Sequence, residues 1–280
     1  MRLRIDLSYD GTDFHGWATQ PQLRTVQGTL EAALATVLRI PEARVVCAGR
    51  TDTGVHARGQ VVHLDLNDVP PMRGRDNEGA VDVLLRRLNG VLPADVRLRS
   101  IREVPETFDA RFSAIWRRYA YRIADAVTYQ DPLTRGHVLH HPRPLDLEAM
   151  NSAAATLVGL NDFASFCKQR EGATTIRTLQ VFEWKRIQGV AEATIKADAF
   201  CHHMVRALVG CVIVVGEGRR PPAWAAEVMM GRERHPVAAL VPSLGLTLEE
   251  VGYPEASDFG AQADRARARR DLSDVPSLGG

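Results

Sequence analysis

The feature that most restricts how this chain can fold is one order of elements met twice. Residues 3–9 alternate Leu3, Ile5, Leu7 and Tyr9 with Arg4, Asp6 and Ser8, the pattern of a strand with one buried face. Asp10-Gly11 ends it. Thr25 stands as a capping residue before a helical stripe of Val26, Leu30, Ala33, Leu34, Val37 and Leu38, which Pro41 stops. Residues 44–48 and 60–66 read as strands, 80–89 as a helix and 95–104 as a strand. The order is β-α-β-β-α-β, the ferredoxin-like arrangement. It recurs without a repeat of sequence. Residues 117–124 form a strand, 145–157 a helix, and 176–187 with 190–197 a hairpin turned near Gln188-Gly189. Two helices over 202–215 and 222–230 precede a last strand over 246–253.

The expected fold class is therefore α+β: two ferredoxin-like βαββαβ halves, residues 1–110 and 111–254, forming one extended, mainly antiparallel sheet. Helices would lie on one face, with a central cleft between the halves, a common place for a site. Two segments fall outside the plan. Residues 71–79 read as a polar loop, and 255–280, without apolar periodicity, as a mobile tail.

Composition excludes several classes. With 45% hydrophobic and 25% charged residues, the chain reads as an ordinary soluble protein. The apolar run Ala207 to Val215 falls well short of the roughly 20 residues a membrane helix needs, so no membrane association is expected. Met1 to Asp6 lacks the apolar stretch of a secretory signal. Cys47, Cys167, Cys201 and Cys211 include no Cys-x-x-Cys pair, which argues against a disulfide framework or a Cys-rich zinc site and fits a reducing cytoplasm. The net charge is only +1, but the 35 basic residues comprise 3 Lys and 32 Arg. Arg97, Arg99, Arg102, Arg111, Arg117, Arg118 and Arg122 face only Glu103, Glu106 and Asp109 within 97–122, a local basic excess suited to phosphate contacts.

The chemistry points to residues 48–57, Ala-Gly-Arg-Thr-Asp-Thr-Gly-Val-His-Ala. The stretch lies between two strands and is too long and too polar for a tight hairpin. Asp52 could simply bond its own backbone in a turn. Alternatively, it is a carboxylate held on a rigid loop beside the Arg50 guanidinium, able to act as nucleophile or base. Four histidines raise a metal reading. His202 and His203 are adjacent, so on a helix they would point about 100° apart and share one ion poorly; no metal site is expected. Cys47 reads as core packing rather than a nucleophile.

Gly49-Arg50-Thr51-Asp52-x-Gly54-Val55-His56-Ala57 resembles the catalytic loop of the tRNA pseudouridine synthase A family. Seven further segments are similar, in order: Tyr9-Asp10-Gly11-x-x-Phe14-x-Gly16-Trp17, Gly59-Gln60-Val61-Val62-His63, Phe108-x-Ala110-Arg111-Phe112-Ser113-Ala114, Arg117-Arg118-Tyr119-x-Tyr121, Asn161-Asp162-Phe163-x-Ser165-Phe166, Ala199-Phe200-x-His202-His203-Met204-Val205-Arg206, and Gly245-Leu246-x-Leu248 running to Tyr253-Pro254. Thr53 departs from the alanine common in the family, the 71–79 loop is longer than expected, and the segment after 254 is unfamiliar.

The resemblance implies an isomerase that converts uridine to pseudouridine at positions 38, 39 and 40 of the tRNA anticodon stem-loop, without a cofactor. It implies Asp52 as the catalytic carboxylate, Arg50 as the residue that enters the stem and helps hold the nucleotide flipped out, and Tyr119 as the ring stacked on the target uracil. Arg206 is the implied partner of the aspartate, and a homodimer the implied assembly. Two rivals stand beside it. One is a non-catalytic RNA-binding module on the same fold, though no RNP-type aromatic run is present. The other is a metabolic enzyme holding a small anionic substrate through Arg50 and Arg206.

Overall fold

The structure is a computed structural model that describes residues 1–68, 79–168, 174–233, 240–268 and 270–275. The chain is α+β, with six α-helices among the described residues and a mixed, mostly antiparallel open sheet. It divides into two compact units, the first made of 1–115 with 248–268, the second of 116–247 with the segment after 268.

In the first unit, β1 (Arg2–Tyr9) keeps the strict alternation its sequence predicts, with Leu3, Ile5 and Leu7 fully buried. α1 (Val26–Leu38) starts at Thr25, whose hydroxyl accepts from Gly28 N–H, and it buries Val26, Leu30, Ala33, Leu34 and Leu38 at helical spacing. β2 (Val45–Cys47), β3 (His56–Asp65), α2 (Ala80–Val91) and β4 (Val96–Val104) complete the expected order. β4 and β3 flank β1 antiparallel, and β2 pairs with the far end of β3, Val45 opposite Leu64 and Cys47 opposite Val62. The strand order 4-1-3-2 is that of a ferredoxin-like half. β3 begins at His56, four residues earlier than its periodicity indicates. Arg58 and Gly59 interrupt the apolar pattern there, while the ladder to β1 holds Ala57 opposite Tyr9.

The second unit holds β5 (Trp116–Ala124), β6 (Leu139–His140), α3 (Leu147–Ala155), β7 (Gly159–Asp162), β8 (Ile176–Ile187), β9 (Val190–Ala197), α4 (Met204–Gly216) and α5 (Trp224–Met230). Its strands run in the order β5-β9-β8-β7, with β6 parallel to β5. Gln188 and Gly189 both have positive φ, +51° and +87°, and close the β8–β9 hairpin with Ile187 paired to Val190. β6 and β7, of two and four residues, were too short to leave a periodic signal. α4 is buried at every position except Arg206.

The remaining elements lie toward the C-terminus. β10 (Leu246–Gly252) is the last strand, over the residues the sequence assigns to it, and its residues from Leu248 onward fall in the first unit. Within the segment after 254, which the sequence reads as a mobile tail, α6 (Phe259–Arg267) buries Phe259 and Ala263. The Phe259 ring meets Phe108 edge-on at 5.0 Å, and its carbonyl accepts from the buried Ser113 hydroxyl at 3.0 Å. Two apolar residues four apart suffice to dock so short a helix, too few to register as periodicity. Against the expectation from cysteine spacing, Cys167 and Cys201 form a disulfide with Cα atoms 5.7 Å apart, 34 residues apart in sequence. Of the 71–79 loop, all but Gly79 lies outside the described residues.

Candidate active site

The loop between β2 and β3 is clamped from several directions by the segment that follows β1. Ala48 N–H donates to Val61 carbonyl at 2.8 Å and prolongs the β2–β3 pairing up to the loop's edge. Val55 N–H donates to Asp52 carbonyl at 3.1 Å, and Gly54 takes φ +75°, so the loop turns back directly after Asp52. Trp17 N–H donates to Thr51 carbonyl at 3.0 Å, and Gly54 N–H to Phe14 carbonyl at 3.2 Å. Gly16, at φ +87°, passes so close to this turn that a Cβ there would lie 3.0 Å from Thr51 carbonyl oxygen. Gly11 N–H donates to Nδ1 of the buried His56 at 3.0 Å. Phe14 and Trp17, each 1% exposed, anchor the supporting segment in the core. The Tyr9–Trp17 and Gly49–Ala57 motifs, 40 residues apart in sequence, are thus two faces of one construction.

Asp52 is half-buried and Arg50, two residues earlier, is exposed; the structure brings both onto this one loop. A half-buried carboxylate on a backbone fixed at Thr51 and Gly54 is oriented before any substrate arrives, the condition under which a carboxylate works as nucleophile or base. Cys47, at the foot of the loop, has no such role. Burial pushes its thiol up to about 11, which the positive charges of Arg50 and Arg111 only partly oppose.

Tyr119 and Arg206 belong to the second unit. Tyr119 lies on β5 opposite Ile195 of β9, 7% exposed, with its ring edge-to-face on Phe200 at 5.2 Å and 89°. Phe200 was not singled out as a partner, although its motif was; only the fold brings residues 81 apart into ring contact. Arg206 is half-buried, and its Nε donates to Val241 carbonyl at 2.7 Å. The neighbouring carbonyl, Pro242, accepts from the Tyr121 hydroxyl at 2.8 Å, so α4 and β5 grip one stretch of chain. Burial raises the Tyr121 phenol well above its ordinary value, and the Arg206 charge opposes that rise. His202 and His203 precede α4 instead of lying on it. His203 takes φ +70°, and the two imidazoles come within 4.0 Å, centre to centre. The helical spacing assumed for them in the sequence does not hold.

Other matched segments serve the fold. His63 Nδ1 accepts from Ala110 N–H at 2.9 Å, the Phe108 ring lies 5.0 Å from Tyr253, and the Tyr253 hydroxyl donates to Ala110 carbonyl at 2.7 Å. One cluster in the first unit therefore takes up His63, the Phe108–Ala114 segment and Tyr253.

A family model described as tRNA pseudouridine synthase matches residues 7–113 and 153–254. The chain is 56% identical over 275 residues to a protein named tRNA pseudouridine synthase A from Streptomyces griseus, covering 97% of this chain and 95% of that one. It is 53% identical to the protein of that name from Frankia casuarinae, over 96% of both chains, and 50% identical to the one from Cutibacterium acnes, over 98% and 96%. The residues matched by the family model take in the clamped loop, its supporting segment and Arg206, while Tyr119 lies between the two matched stretches; the chain belongs to the tRNA pseudouridine synthase family.

Proposed function

We propose that this protein isomerises uridine to pseudouridine in tRNA, at positions 38, 39 and 40 of the anticodon stem-loop, with Asp52 as the catalytic carboxylate. The observation that carries the reading is the position of Asp52. It is the half-buried acid of a loop clamped at Thr51 and Gly54, within a segment matched by the family.

The reaction breaks the N1–C1′ bond, turns the uracil in place and joins C5 to C1′. C5 then gives up its proton, and N1 ends protonated. Substrate and product are isomers, so the net change needs no electron acceptor and no cofactor. Asp52 serves by attack on C1′ or C6, or as the base that removes the C5 proton. The target nucleotide must first leave the helical stack, at a cost of a few kcal/mol. Arg50, exposed at the tip of the same loop, is assigned by resemblance to enter the stem and hold the nucleotide out. Tyr119 is assigned to stack on the uracil, a contact worth about 1–3 kcal/mol. Arg206 is assigned as the guanidinium partner of the catalytic carboxylate. A homodimer in the cytoplasm completes the reading: a tRNA is longer than one such chain, so a second copy can hold the distant arm. Among the described residues, no helix is long and apolar enough to cross a membrane.

The test is tRNA carrying tritium at uridine C5. Release of tritium to water is the expected result. Retention with tight binding would favour a non-catalytic RNA-binding module, and absence of tRNA affinity a small-molecule enzyme.

A further inference from the structure

The inward row of β3 reads Gln60, Val62, Leu64, and that of β1 Leu3, Ile5, Leu7, Tyr9. Two polar groups thus stand at the end of an otherwise apolar interior, directly beneath the Asp52 loop. Gln60 is completely buried and Tyr9 is 4% exposed. An apolar pair of similar size would fill this space without the cost of desolvating an amide and a phenol.

The hydrogen bonds form one connected chain. Val61 N–H donates to Gln60 Oε1 at 3.2 Å, which sets which end of the amide is which. Gln60 Nε2 then donates to Gly49 carbonyl at 2.8 Å and to the Tyr9 hydroxyl oxygen at 3.3 Å. The Tyr9 hydroxyl also lies 2.8 Å from Thr51 Oγ1, in a bond that either hydroxyl can donate. Thr51 is 7% exposed, and the Gln60–Tyr9 and Tyr9–Thr51 bonds are shielded from water, where such bonds are strong and reinforce one another, while the Gln60–Gly49 bond is part-buried. The end points of this hydrogen-bond chain are Gly49 and Thr51, the residues on either side of Arg50, and Thr51 is joined covalently to Asp52. Since the Thr51 carbonyl also accepts from Trp17 N–H, that residue is held by side chain and main chain together.

We infer that Gln60, Tyr9 and Thr51 are positioning residues for the Asp52 carboxylate, acting through a hydrogen-bond chain that fixes the loop from below. This rests on the functional reading above. None of the three touches the reacting atoms; they hold the acid at its angle of attack, and a displacement of the order of 1 Å there costs about 100-fold in rate.

The test uses the full chain and C5-tritiated tRNA at saturation, with single-turnover release, tRNA affinity and melting temperature read in parallel. Thr51→Val keeps the shape and loses the hydroxyl; Tyr9→Phe removes the other hydroxyl of the pair. Each should slow turnover by about 10–100-fold while affinity stays within about threefold. Thr51→Ser, which restores the hydroxyl, should recover a rate within about threefold of the parent. Because Tyr9→Phe and Thr51→Val break the same bond, the double variant should be no slower than the slower single one. The inference is overturned if both single variants turn over like the parent, if Thr51→Ser is as slow as Thr51→Val, or if the two losses multiply. Tyr9→Phe, which deletes one oxygen from a buried ring, decides the matter should Thr51→Val fail to fold. A parent protein that releases no tritium would instead remove the functional reading itself.

Discussion

Gly11 passes so close to Val55 that a Cβ on Gly11 would overlap the Val55 carbonyl oxygen. One residue opens the turn after β1, its carbonyl accepting from Phe14 N–H, and the other closes the Asp52 loop, so these two segments are held in direct backbone contact. Neither main chain can yield without moving its own hydrogen bonds. Gly11→Ala should therefore destabilise the protein by about 1–3 kcal/mol, the usual range for overpacking. It should also reduce turnover more than tRNA affinity. Thermal melting with the tritium-release rate checks this, and an unchanged melting temperature would show that the close approach can relax freely.

Asp52→Asn keeps the size of the side chain and removes its charge and basicity. Turnover should be lost, while tRNA affinity stays within about tenfold, because affinity comes mainly from phosphate contacts. Appreciable residual turnover would mean that another residue is the catalytic acid.

Arg97, Arg99 and Arg102 are exposed on β4, and Arg111 follows on the same unit. A surface of this kind binds by releasing counterions from the nucleic acid, so tRNA affinity should fall steeply from low to moderate salt. Replacing Arg99 or Arg102 by alanine should each reduce the logarithmic salt slope by about one if it meets a phosphate. A flat salt response would argue against a phosphate-dominated interface.

His63 is 5% exposed, and burial holds its imidazole below the ordinary value, with Arg2 adding to the effect. The folded state therefore binds a proton less readily than the unfolded chain. Its contribution to stability is complete above the unfolded value of about 6.5 and declines as pH falls below it. The parent should lose stability between pH 7 and pH 5. His63→Asn, whose carbonyl can accept from Ala110 N–H as Nδ1 does, should lose less over that interval. Denaturant midpoints at the two pH values test it, and parallel curves would exclude His63 as a source of the dependence.

The Cys167–Cys201 disulfide closes a separation of 34 residues, for which the chain-entropy relation gives about 3–4 kcal/mol. Cys201→Ser should lower the melting temperature under oxidising conditions and make no difference in excess reductant. Equal melting of parent and variant without reductant would show that the bridge does not stabilise the fold.

Long elements with clear periodicity were legible in the residues themselves. β1, α1 and the β8–β9 hairpin lie where alternation, a threonine cap and Gln188-Gly189 place them, because each is governed by neighbours in sequence. The early start of β3, the two-residue β6 and the docked α6 were not. Their stability comes from partners far along the chain: Tyr9 for Ala57, Ile123 for Leu139, Phe108 for Phe259. Asp52 and Arg50 stand out as residue types in a polar loop between strands. Gln60 does not, since a single glutamine in a strand looks the same whether it faces water or a buried phenol.

Taken alone, the amino-acid sequence determined the α+β class, the doubled βαββαβ order and the loop that carries the acid, since periodicity, caps and turn residues act over a few positions. Which groups hold that loop was decided only by tertiary structure. The backbone contact of Gly11 with Val55, the Gln60–Tyr9–Thr51 bonds, the Phe200 edge on Tyr119 and the pairing of Cys167 with Cys201 join residues from 34 to 81 positions apart. Such contacts form only when separate elements share a core, and local patterning does not encode them.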